Sequence, residues 1–332
     1  MKTVRISLIG FGAVGQGVAS TVLSKRDFLK KQGIDLRFVG ITDSKGSEVD
    51  ENGIDLEAAI SRKKDTGSVA TGDMTALEII RNVKHEIMVD VTPTNIDDGE
   101  PGLGNMLSAF GAGRHVVTSN KGPLALRFSE LNEAAEDNGL FFRYEATVAG
   151  AVPIFNLVHE ALAGNTVTGI EGILNGTCNY ILTRMTEERM PYKLALKEAQ
   201  ELGFAETDPT YDVGGIDAAL KLVIIANSIF GTGATYHDVD VTGITKITPE
   251  ALELASNNNS VIKLVCEAVN GTLKVAPRLV PKRHPLAVGG TLNVASIQTD
   301  LAGRITISGK GAGSIETASS ILSDIIYIAR HV

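Results

Sequence analysis

The first half of the chain alternates short apolar runs with longer segments whose apolar residues recur at helical spacing. The apolar runs have the length of buried strands and lie at Val4–Ile9, Leu36–Thr42, Ile87–Val91, His115–Thr118 and Leu140–Tyr144. Because strands that alternate with helices usually pair in parallel, this order predicts a doubly wound parallel sheet. Residues 50–71 interrupt the alternation with a polar stretch, for which we expect a peripheral insertion with a short helix.

The second half of the chain has a different pattern, in which antiparallel signals prevail. Thr166–Leu174 predicts a strand, and Asn270-Gly271 joins two further apolar runs with the strongest short hairpin signal. A second turn lies between Val294–Thr299 and Arg304–Ser308, and a helical pattern follows over about 316–329. This half therefore predicts an α/β region built partly from hairpins.

A glycine-rich turn directly follows the first predicted strand. It reads Gly10-Phe11-Gly12-Ala13-Val14-Gly15 and leads into a helical pattern. In this context Gly10 makes the turn, Gly12 lets a pyrophosphate approach the backbone, and Gly15 lets helix and strand pack closely. The unpaired N–H groups of the helix favour an anion. The motif predicts a dinucleotide site, and the alternative is a glycine-rich turn in another α/β fold.

The end of the second predicted strand bears on which dinucleotide binds. An acid at this place, here Asp43, usually accepts from the ribose hydroxyls and favours NAD. Ser44 and Lys45 follow immediately and could instead meet the 2′-phosphate of NADP. The sequence therefore leaves both coenzymes open.

An acid-rich loop followed by a helix is the main candidate for the chemistry. Gly203 can end a helix, and the loop after it contains Glu206 and Asp212. A helical pattern then runs from Ile216 to Phe230, and it places Asp217 and Lys221 four residues apart on one face. The alternative interpretation is a salt-bridged loop with an exposed acid–base pair.

Two further segments have candidate site residues. Lys121 follows the strand predicted at His115–Thr118, in an expected loop without apolar neighbours, where the alternative is a solvated lysine. The stretch Glu145–Pro153 consists of small residues without a clear period, and its alternative role is a hinge between domains.

Composition narrows the class of protein. The 31 basic and 39 acidic side chains form no basic stripe, which argues against nucleic-acid binding. The longest apolar runs are shorter than the ~20 residues of a membrane span, and the start of the chain has no signal-peptide pattern. Cys178 and Cys266 make no disulfide framework and favour a reducing cytoplasm. The six histidines lack ligand spacing, so we predict no transition-metal site.

Taken together, these segments resemble the homoserine dehydrogenase family over nearly the whole chain. The resemblance lies in residues 10–17, 118–123, 144–153, 172–180, 202–221, 284–285 and 309–313. Its most specific part is the Gly-Phe-Ala-Glu-Thr-Asp-Pro loop that leads into Asp-x-x-x-Lys at 203–221. It implies a doubly wound NAD(P)-binding Rossmann domain at 1–145, joined by a C-terminal helix at 314–332. It also implies a second α/β domain at 146–313, with a largely antiparallel sheet, for substrate binding and dimerisation.

The resemblance also implies a reaction. The family reduces L-aspartate 4-semialdehyde to L-homoserine with NADH or NADPH, on the route to threonine and methionine. By this likeness Lys221 is the general acid and base, and Asp217 and Lys121 hold the reacting end of this small-molecule substrate. Glu206 meets the substrate ammonium, while Asp212, Gly176 and Thr177 belong to the same pocket.

Cofactor and metal contacts follow from the same likeness. The coenzyme is expected to border the turn at 10–15 and, beyond it, Asp43, Thr92, Pro93, Ser119, Lys121 and Gly311. Main-chain carbonyls are expected to hold a sodium ion, at Glu145, Val148, Gly150 and Val152. A homodimer and a short monofunctional form are expected, since 332 residues leave no room for an appended regulatory domain or a fused aspartate kinase.

Two other functions fit parts of the sequence. Cys178, near a predicted helix start, could be the nucleophile of a thioester-forming aldehyde dehydrogenase. A non-catalytic nucleotide-sensing protein would also use the glycine-rich turn. Such a protein would have no need of the acids and lysine at 206–221.

Overall fold

The computed structural model describes residues 1–332, and their internal contacts separate two units. The first unit comprises Met1–Thr147 and Gly313–Val332, and the second comprises Val148–Ala312. Each unit contains one six-stranded sheet. The first sheet is parallel except for one edge strand, and the second is antiparallel except for one edge strand. The predicted fold class is confirmed.

The sheet of the first unit has the strand order expected of a doubly wound fold. Its strands are β1 (Lys2–Ile9), β2 (Ile34–Asp43), β3 (Gly46–Val49), β4 (Ile87–Asp90), β5 (His115–Thr118) and β6 (Phe142–Arg143). They lie in the order β3-β2-β1-β4-β5-β6, so the order reverses between β1 and β4. Ligands of such sheets bind at the carboxyl ends of the strands near this reversal.

Seven helices complete the first unit. They are α1 (Ala13–Ser24), α2 (Arg26–Lys31), α3 (Leu56–Thr66), α4 (Ala76–Asn82), α5 (Gly102–Gly111), α6 (Lys121–Asp137) and the C-terminal α13 (Ser314–His331). Ile321, Ile325 and Ile328 recur at helical spacing along α13 and are buried in the core of this unit. The hydroxyl of Ser314 donates to the carbonyl of Ala13 at 2.7 Å, and Gly17 leaves room for this close approach.

The expectation that residues 50–71 form a peripheral insertion is wrong. Ile54, Leu56, Ala59 and Val69 are all buried and belong to the same core as α1 and α13. These few apolar positions face inward, while the many charged residues between them stay outside. The predicted short helix is present as α3, which Asp55 caps, but the average polarity of the stretch concealed its buried face.

The second unit has six strands and six α-helices. The strands are β7 (Val167–Ile173), β8 (Val239–Val241), β9 (Ser260–Val269), β10 (Thr272–Pro281), β11 (Leu292–Thr299) and β12 (Arg304–Lys310), in the order β12-β11-β7-β9-β10-β8. The helices are α7 (Ile154–Asn156), α8 (Gly176–Glu187), α9 (Tyr192–Glu201), α10 (Thr210–Val213), α11 (Ile216–Phe230) and α12 (Pro249–Asn257). The predicted hairpin at Asn270-Gly271 is confirmed, with both residues at positive φ as a primed turn requires.

Helix α11 is the buried helix of the second unit. It has the predicted bounds, and residues 217–227 are all buried. Gly215 and Gly231, both at positive φ, lie at its two ends. Although α11 is strongly apolar, no helix in the structure combines the length and hydropathy needed to cross a membrane.

Candidate active site

The glycine-rich turn of the first unit has the geometry of a phosphate site. A methyl group added at Gly10 would lie 2.8 Å from the Val91 carbonyl oxygen, and one added at Gly15 would lie 2.2 Å from that of Gly10. Gly12 is exposed and has no atom within 4 Å of the corresponding position. No side chain caps the N-terminus of α1. Its N–H groups can therefore meet an anion directly.

Asp43 lies at the end of β2 but is enclosed by protein donors. Its carboxylate accepts from Lys63 Nζ at 2.7 Å, from the Val69 N–H at 2.7 Å and from the Lys45 N–H at 2.8 Å. Its side chain is only 4% exposed. Burial alone would raise the pKa of Asp43, but these hydrogen bonds outweigh it and lower the pKa below its ordinary value. A ribose hydroxyl, the predicted partner of Asp43, would therefore be a further donor to a carboxylate that already accepts from these protein groups.

The carboxyl ends of β4 and β5 are joined by a buried network around Asp90. Thr92 Oγ1 donates to the Asp90 carboxylate at 2.7 Å, and Asn105 Nδ2 donates to it at 3.2 Å. Asn120 Nδ2 donates in turn to Thr92 Oγ1 at 3.0 Å. Burial raises the pKa of Asp90 above its ordinary value, against these hydrogen bonds. The network fixes the edge where Thr92 and Pro93 were predicted to border the coenzyme.

Lys121 does not lie in a loop, contrary to expectation. It is the first residue of α6, and Asn120 caps this helix by accepting from the Gly122 N–H at 3.1 Å. The Ser119 N–H donates to the Asp90 carbonyl at 3.2 Å. The structure therefore places Ser119 and Lys121 at the carboxyl end of β5, beside the Asp90 network.

In the second unit, Asp217 and Lys221 form a buried ion pair on the first turns of α11. Lys221 Nζ lies 2.6 Å from Asp217 Oδ2 and donates to the Leu174 carbonyl at 2.7 Å. Both residues are only 9% exposed. The alternative of an exposed acid–base pair is therefore wrong, because both charges are buried and in direct contact.

Asn175 joins this pair to the acid-rich loop, and the sequence analysis missed it. Its Nδ2 donates to Asp212 Oδ1 at 2.7 Å and to Asp217 Oδ2 at 2.9 Å. Its Oδ1 accepts from the Cys178 N–H at 2.8 Å and caps α8. An asparagine between a strand and a helix is a recognisable cap signal. No pattern in the sequence, however, indicates that this asparagine contacts Asp212 and Asp217, which lie far away in the chain.

The loop that contains Glu206 is fastened by two neighbouring side chains. Thr177 Oγ1 donates to the Phe204 carbonyl at 2.6 Å. Gln200 Nε2 donates to the carbonyls of Glu206 at 3.0 Å and Thr207 at 3.2 Å. The side chain of Glu206 is left exposed at the tip. The hydroxyl of Thr177, predicted to line a pocket, thus also holds this loop in place.

Gly176 and Gly311 are tightly enclosed by neighbouring residues of the same unit. A methyl group at Gly176 would lie 2.8 Å from the Thr291 carbonyl oxygen, and one at Gly311 would lie 2.0 Å from Asn293 Cγ. The predicted carbonyl segment passes nearby, since a methyl group at Gly150 would lie 2.6 Å from the Gly311 carbonyl carbon. Ala149 and Gly150 both have positive φ, at 57° and 56°. Side chains larger than hydrogen are excluded at all three glycines.

Cys178 is unsuited to the nucleophilic role considered above. Its Sγ donates to the Asp212 carbonyl at 3.1 Å, and the residue is fully buried. Burial raises the pKa of the Cys178 thiol well above its ordinary value, and the charges of Asp212 and Asp217 raise it further. A thiolate is therefore strongly disfavoured, whereas the nucleophile of a thioester enzyme must be one.

The two units together define a class of protein. The first combines a doubly wound sheet with a glycine turn and an uncapped helix N-terminus suited to a pyrophosphate. The second holds a buried ammonium and carboxylate beside an acid-rich loop. A fold and residues of this kind are those of an NAD(P)-dependent oxidoreductase.

Comparison with known proteins identifies the family. Residues 10–145 match the family described as homoserine dehydrogenase, NAD binding domain, and residues 153–326 match the family described as homoserine dehydrogenase. A homoserine dehydrogenase of Methanocaldococcus jannaschii is 50% identical over 328 residues, which cover 97% of this chain and 98% of that protein. The chain belongs to the homoserine dehydrogenase family.

Solved structures agree with this assignment. The crystal structure of a provisional homoserine dehydrogenase from Archaeoglobus fulgidus has a TM-score of 0.93 and 48% identity, covering 98% of this chain and 99% of that one. A hyperthermophilic archaeal homoserine dehydrogenase in complex with NADPH has a TM-score of 0.87 and 30% identity, covering 100% and 99%. Membership of this family argues against the two alternatives, a thioester-forming aldehyde dehydrogenase and a non-catalytic nucleotide-sensing protein.

Proposed function

We propose that this chain interconverts L-aspartate 4-semialdehyde and L-homoserine, with Lys221 as the group that transfers the proton. The observation that supports this role is the buried pair itself. Lys221 Nζ donates to Asp217 Oδ2 at 2.6 Å and to the Leu174 carbonyl at 2.7 Å. A lysine ammonium that donates to two fixed acceptors in a largely dry site still has a third N–H at a defined position, from which it can exchange a proton with the substrate.

The chemistry needs such a group in both directions. Hydride addition to an aldehyde leaves an alkoxide that must be protonated, and oxidation of the alcohol must remove that proton. The nicotinamide coenzyme, when bound, supplies or accepts the hydride. Lys221 donates a proton to the alkoxide oxygen in reduction and withdraws it in oxidation. Asp217 stabilises the ammonium through its shared oxygen, and we propose that Lys121 helps to hold the reacting end of the substrate.

The substrate is a zwitterion, and the acid-rich loop suits its positive end. We propose that Glu206 and Asp212 accept from the substrate ammonium. Glu206 is exposed on a loop held by Thr177 and Gln200, so its carboxylate is free to meet a ligand at a defined place. Gly176 lies at the start of α8 and would border the same pocket.

We propose that the coenzyme is NAD or NADP. The uncapped N-terminus of α1 would bind the pyrophosphate, and Thr92, Pro93, Ser119 and Gly311 would border the rest. At the end of β2, Lys63 offsets the charge of Asp43 at 2.7 Å, so a 2′-phosphate would not meet an unpaired carboxylate. Ser44 and Lys45 are exposed beside it. The similar archaeal enzyme is in complex with NADPH.

A sodium ion is proposed at the main-chain carbonyls of Glu145, Val148, Gly150 and Val152. The segment fits an alkali cation in two respects. It is buried, with Val148 fully so, and the positive φ of Gly150 turns successive carbonyls in different directions. Oxygen donors of this kind suit a hard cation. The Val152 carbonyl already accepts from the Ile154 N–H at 2.9 Å and would be shared.

We also propose a homodimer formed through the second unit and a cytoplasmic location. Leu279 on β10 and Leu254 on α12 are 66% and 65% exposed, and a partner subunit could cover them. Light scattering at micromolar concentration should give twice the mass of the chain, and a monomer mass would contradict the dimer. Both cysteines are buried and unpaired, in keeping with a reducing compartment.

The proposed reaction can be tested by following reduced coenzyme spectrophotometrically. Purified protein should oxidise L-homoserine with NAD, NADP or both, assayed in parallel, and should leave L-serine and L-threonine largely untouched. Glu206→Gln should raise KM for homoserine by at least about 10-fold, the scale of a charge-assisted hydrogen bond. The exposed Glu201→Gln on α9 is the matched control. Absence of homoserine turnover with both coenzymes would overturn the proposed function.

A further inference from the structure

We infer that Asn175 is the positioning residue of this site, holding Asp217 against Lys221 by separating two carboxylates. The inference rests on the proposed role of Lys221 and adds to it. Asn175 is 4% exposed, and its amide contacts three elements of the second unit: α8, α10 and α11.

The hydrogen bonds fix which way the amide faces. The Cys178 N–H can only donate, so the atom of Asn175 that meets it must be the oxygen. The nitrogen then points at Asp212 Oδ1 at 2.7 Å and Asp217 Oδ2 at 2.9 Å, and both acids can only accept while ionised. Each of its two hydrogens has one carboxylate partner. All hydrogen-bonding capacity on that nitrogen is used.

The same oxygen of Asp217 links Asn175 to the reacting group. Asp217 Oδ2 accepts both from Asn175 Nδ2 and from Lys221 Nζ, while the carbonyl of the preceding residue, Leu174, accepts from Lys221 Nζ at 2.7 Å. Two consecutive residues after β7 therefore set the positions of the carboxylate and the ammonium. Without the amide, Asp212 and Asp217 would repel each other, and Asp217 would be free to turn away from Lys221.

A neutral side chain with two donors is what this place requires. Aspartate has the same shape and would still cap α8, but it offers no donor and adds a third negative charge beside Lys221. Serine would also cap α8 and adds no charge, but it lacks the two N–H groups. These two substitutions separate the helix cap from the positioning of Asp217.

The test compares Asn175→Ser and Asn175→Asp with wild type in steady-state kinetics and in pH–rate profiles. We expect kcat for homoserine oxidation to fall about 10- to 100-fold in both, short of complete loss of general acid–base help. KM for coenzyme should stay within about 2-fold, since the coenzyme residues are elsewhere. In Asn175→Asp the profile should move to higher pH by about one unit, because a new negative charge favours the ammonium form.

Asn227→Ser is the matched control for loss of a buried asparagine. Asn227 is on α11, and its amide bonds the backbone of Ala234 instead of an acid. We expect this variant to lose stability while its kcat and pH profile stay those of wild type. A role of Asn175 in folding alone would give the same result as this control.

The outcomes separate this inference from the proposed function. If both Asn175 variants keep the wild-type kcat and pH profile while Lys221→Ala is inactive, the positioning role is overturned and the role of Lys221 stands. If Lys221→Ala itself keeps its turnover, the proposed mechanism falls and the inference falls with it. A shifted profile in Asn175→Asp, together with an inactive Lys221→Ala, supports both.

Discussion

At the residue scale, the site of the second unit depends on one carboxylate oxygen that serves two donors. Asp217 Oδ2 accepts from Lys221 Nζ and from Asn175 Nδ2, in a place where both charged residues are 9% exposed. The four-residue spacing of the acid and the lysine was enough to predict that they share a face. Their burial and the third member, 42 residues earlier in the chain, could not be predicted from that spacing.

Removal of this carboxylate charge should affect both turnover and stability. Asp217→Asn should lower kcat at least about 10-fold, because Lys221 loses its ionic partner. The free energy of unfolding should fall by about 1–3 kcal/mol, the scale of an imperfectly paired buried group. Steady-state assays and urea unfolding measure the two effects.

The exposed pair of Asp240 and Lys274 provides the comparison. Their side chains are 63% and 41% exposed and lie 2.8 Å apart. Asp240→Asn should change stability by less than about 1 kcal/mol and leave kcat unaltered. Equal effects of the two substitutions would show that burial of the Asp217 pair has no consequence.

His85 gives a second prediction at this scale, on acid stability. Its ring lies 3.0 Å from Ser7 Oγ and 2.7 Å from the Val83 carbonyl, and burial lowers the pKa of His85 from 6.5 to about 4. Between these pH values the unfolded chain holds a proton that the folded one does not. Stability is therefore complete above about pH 6.5 and declines as the pH falls towards 4, by up to about 3 kcal/mol.

Unfolding at a series of pH values tests this. His85→Asn should show a shallower loss of unfolding free energy from pH 6.5 to 4 than wild type. His237→Asn, at an exposed position, should follow the wild-type slope. Parallel curves for wild type and His85→Asn would show that His85 is not the group whose protonation lowers the stability at acid pH.

At the element scale, prediction succeeded where local pattern and packing agree. Helix α11 has the bounds expected from its apolar period, since Gly215 and Gly231 mark both ends. It failed where few apolar residues lie among many charges, as in residues 50–71. It also failed at Lys121, because the Asn120 cap that starts α6 gives a weaker signal than the Gly-Pro pair that follows.

Two glycines of the first turn provide a matched pair of substitutions. Gly15→Ala would place a methyl group 2.2 Å from the Gly10 carbonyl oxygen, and should destabilise the protein by about 1–3 kcal/mol. Gly12→Ala meets no protein atom within 4 Å, so the fold should keep its stability. Because its methyl group would occupy the place of the pyrophosphate, coenzyme Kd should rise at least about 10-fold.

Thermal unfolding and titration of coenzyme fluorescence measure these two effects separately. If Gly12→Ala binds coenzyme as wild type does, the pyrophosphate does not lie on this turn.

At the scale of the whole molecule, the sequence predicted the fold class because each half repeats its own pattern of pairing. The assignment of roles came from the family resemblance, which periodicity alone could not supply. The family is shown by 50% identity over 97% of the chain, and the roles of individual residues stay predictions. A sequence pattern does not give the distance in space between residues that are far apart in the chain. The role of Asn175 was missed for this reason.

If Lys221 transfers the proton, its removal should slow single-turnover oxidation of L-homoserine, which Lys221→Ala allows us to measure. Coenzyme binding should be verified first by fluorescence, with Lys197→Ala on the exposed side of α9 as the control. We expect Lys221→Ala to bind coenzyme normally and to transfer hydride at least about 100-fold more slowly than wild type. A rate above one third of wild type, with coenzyme bound, would contradict it.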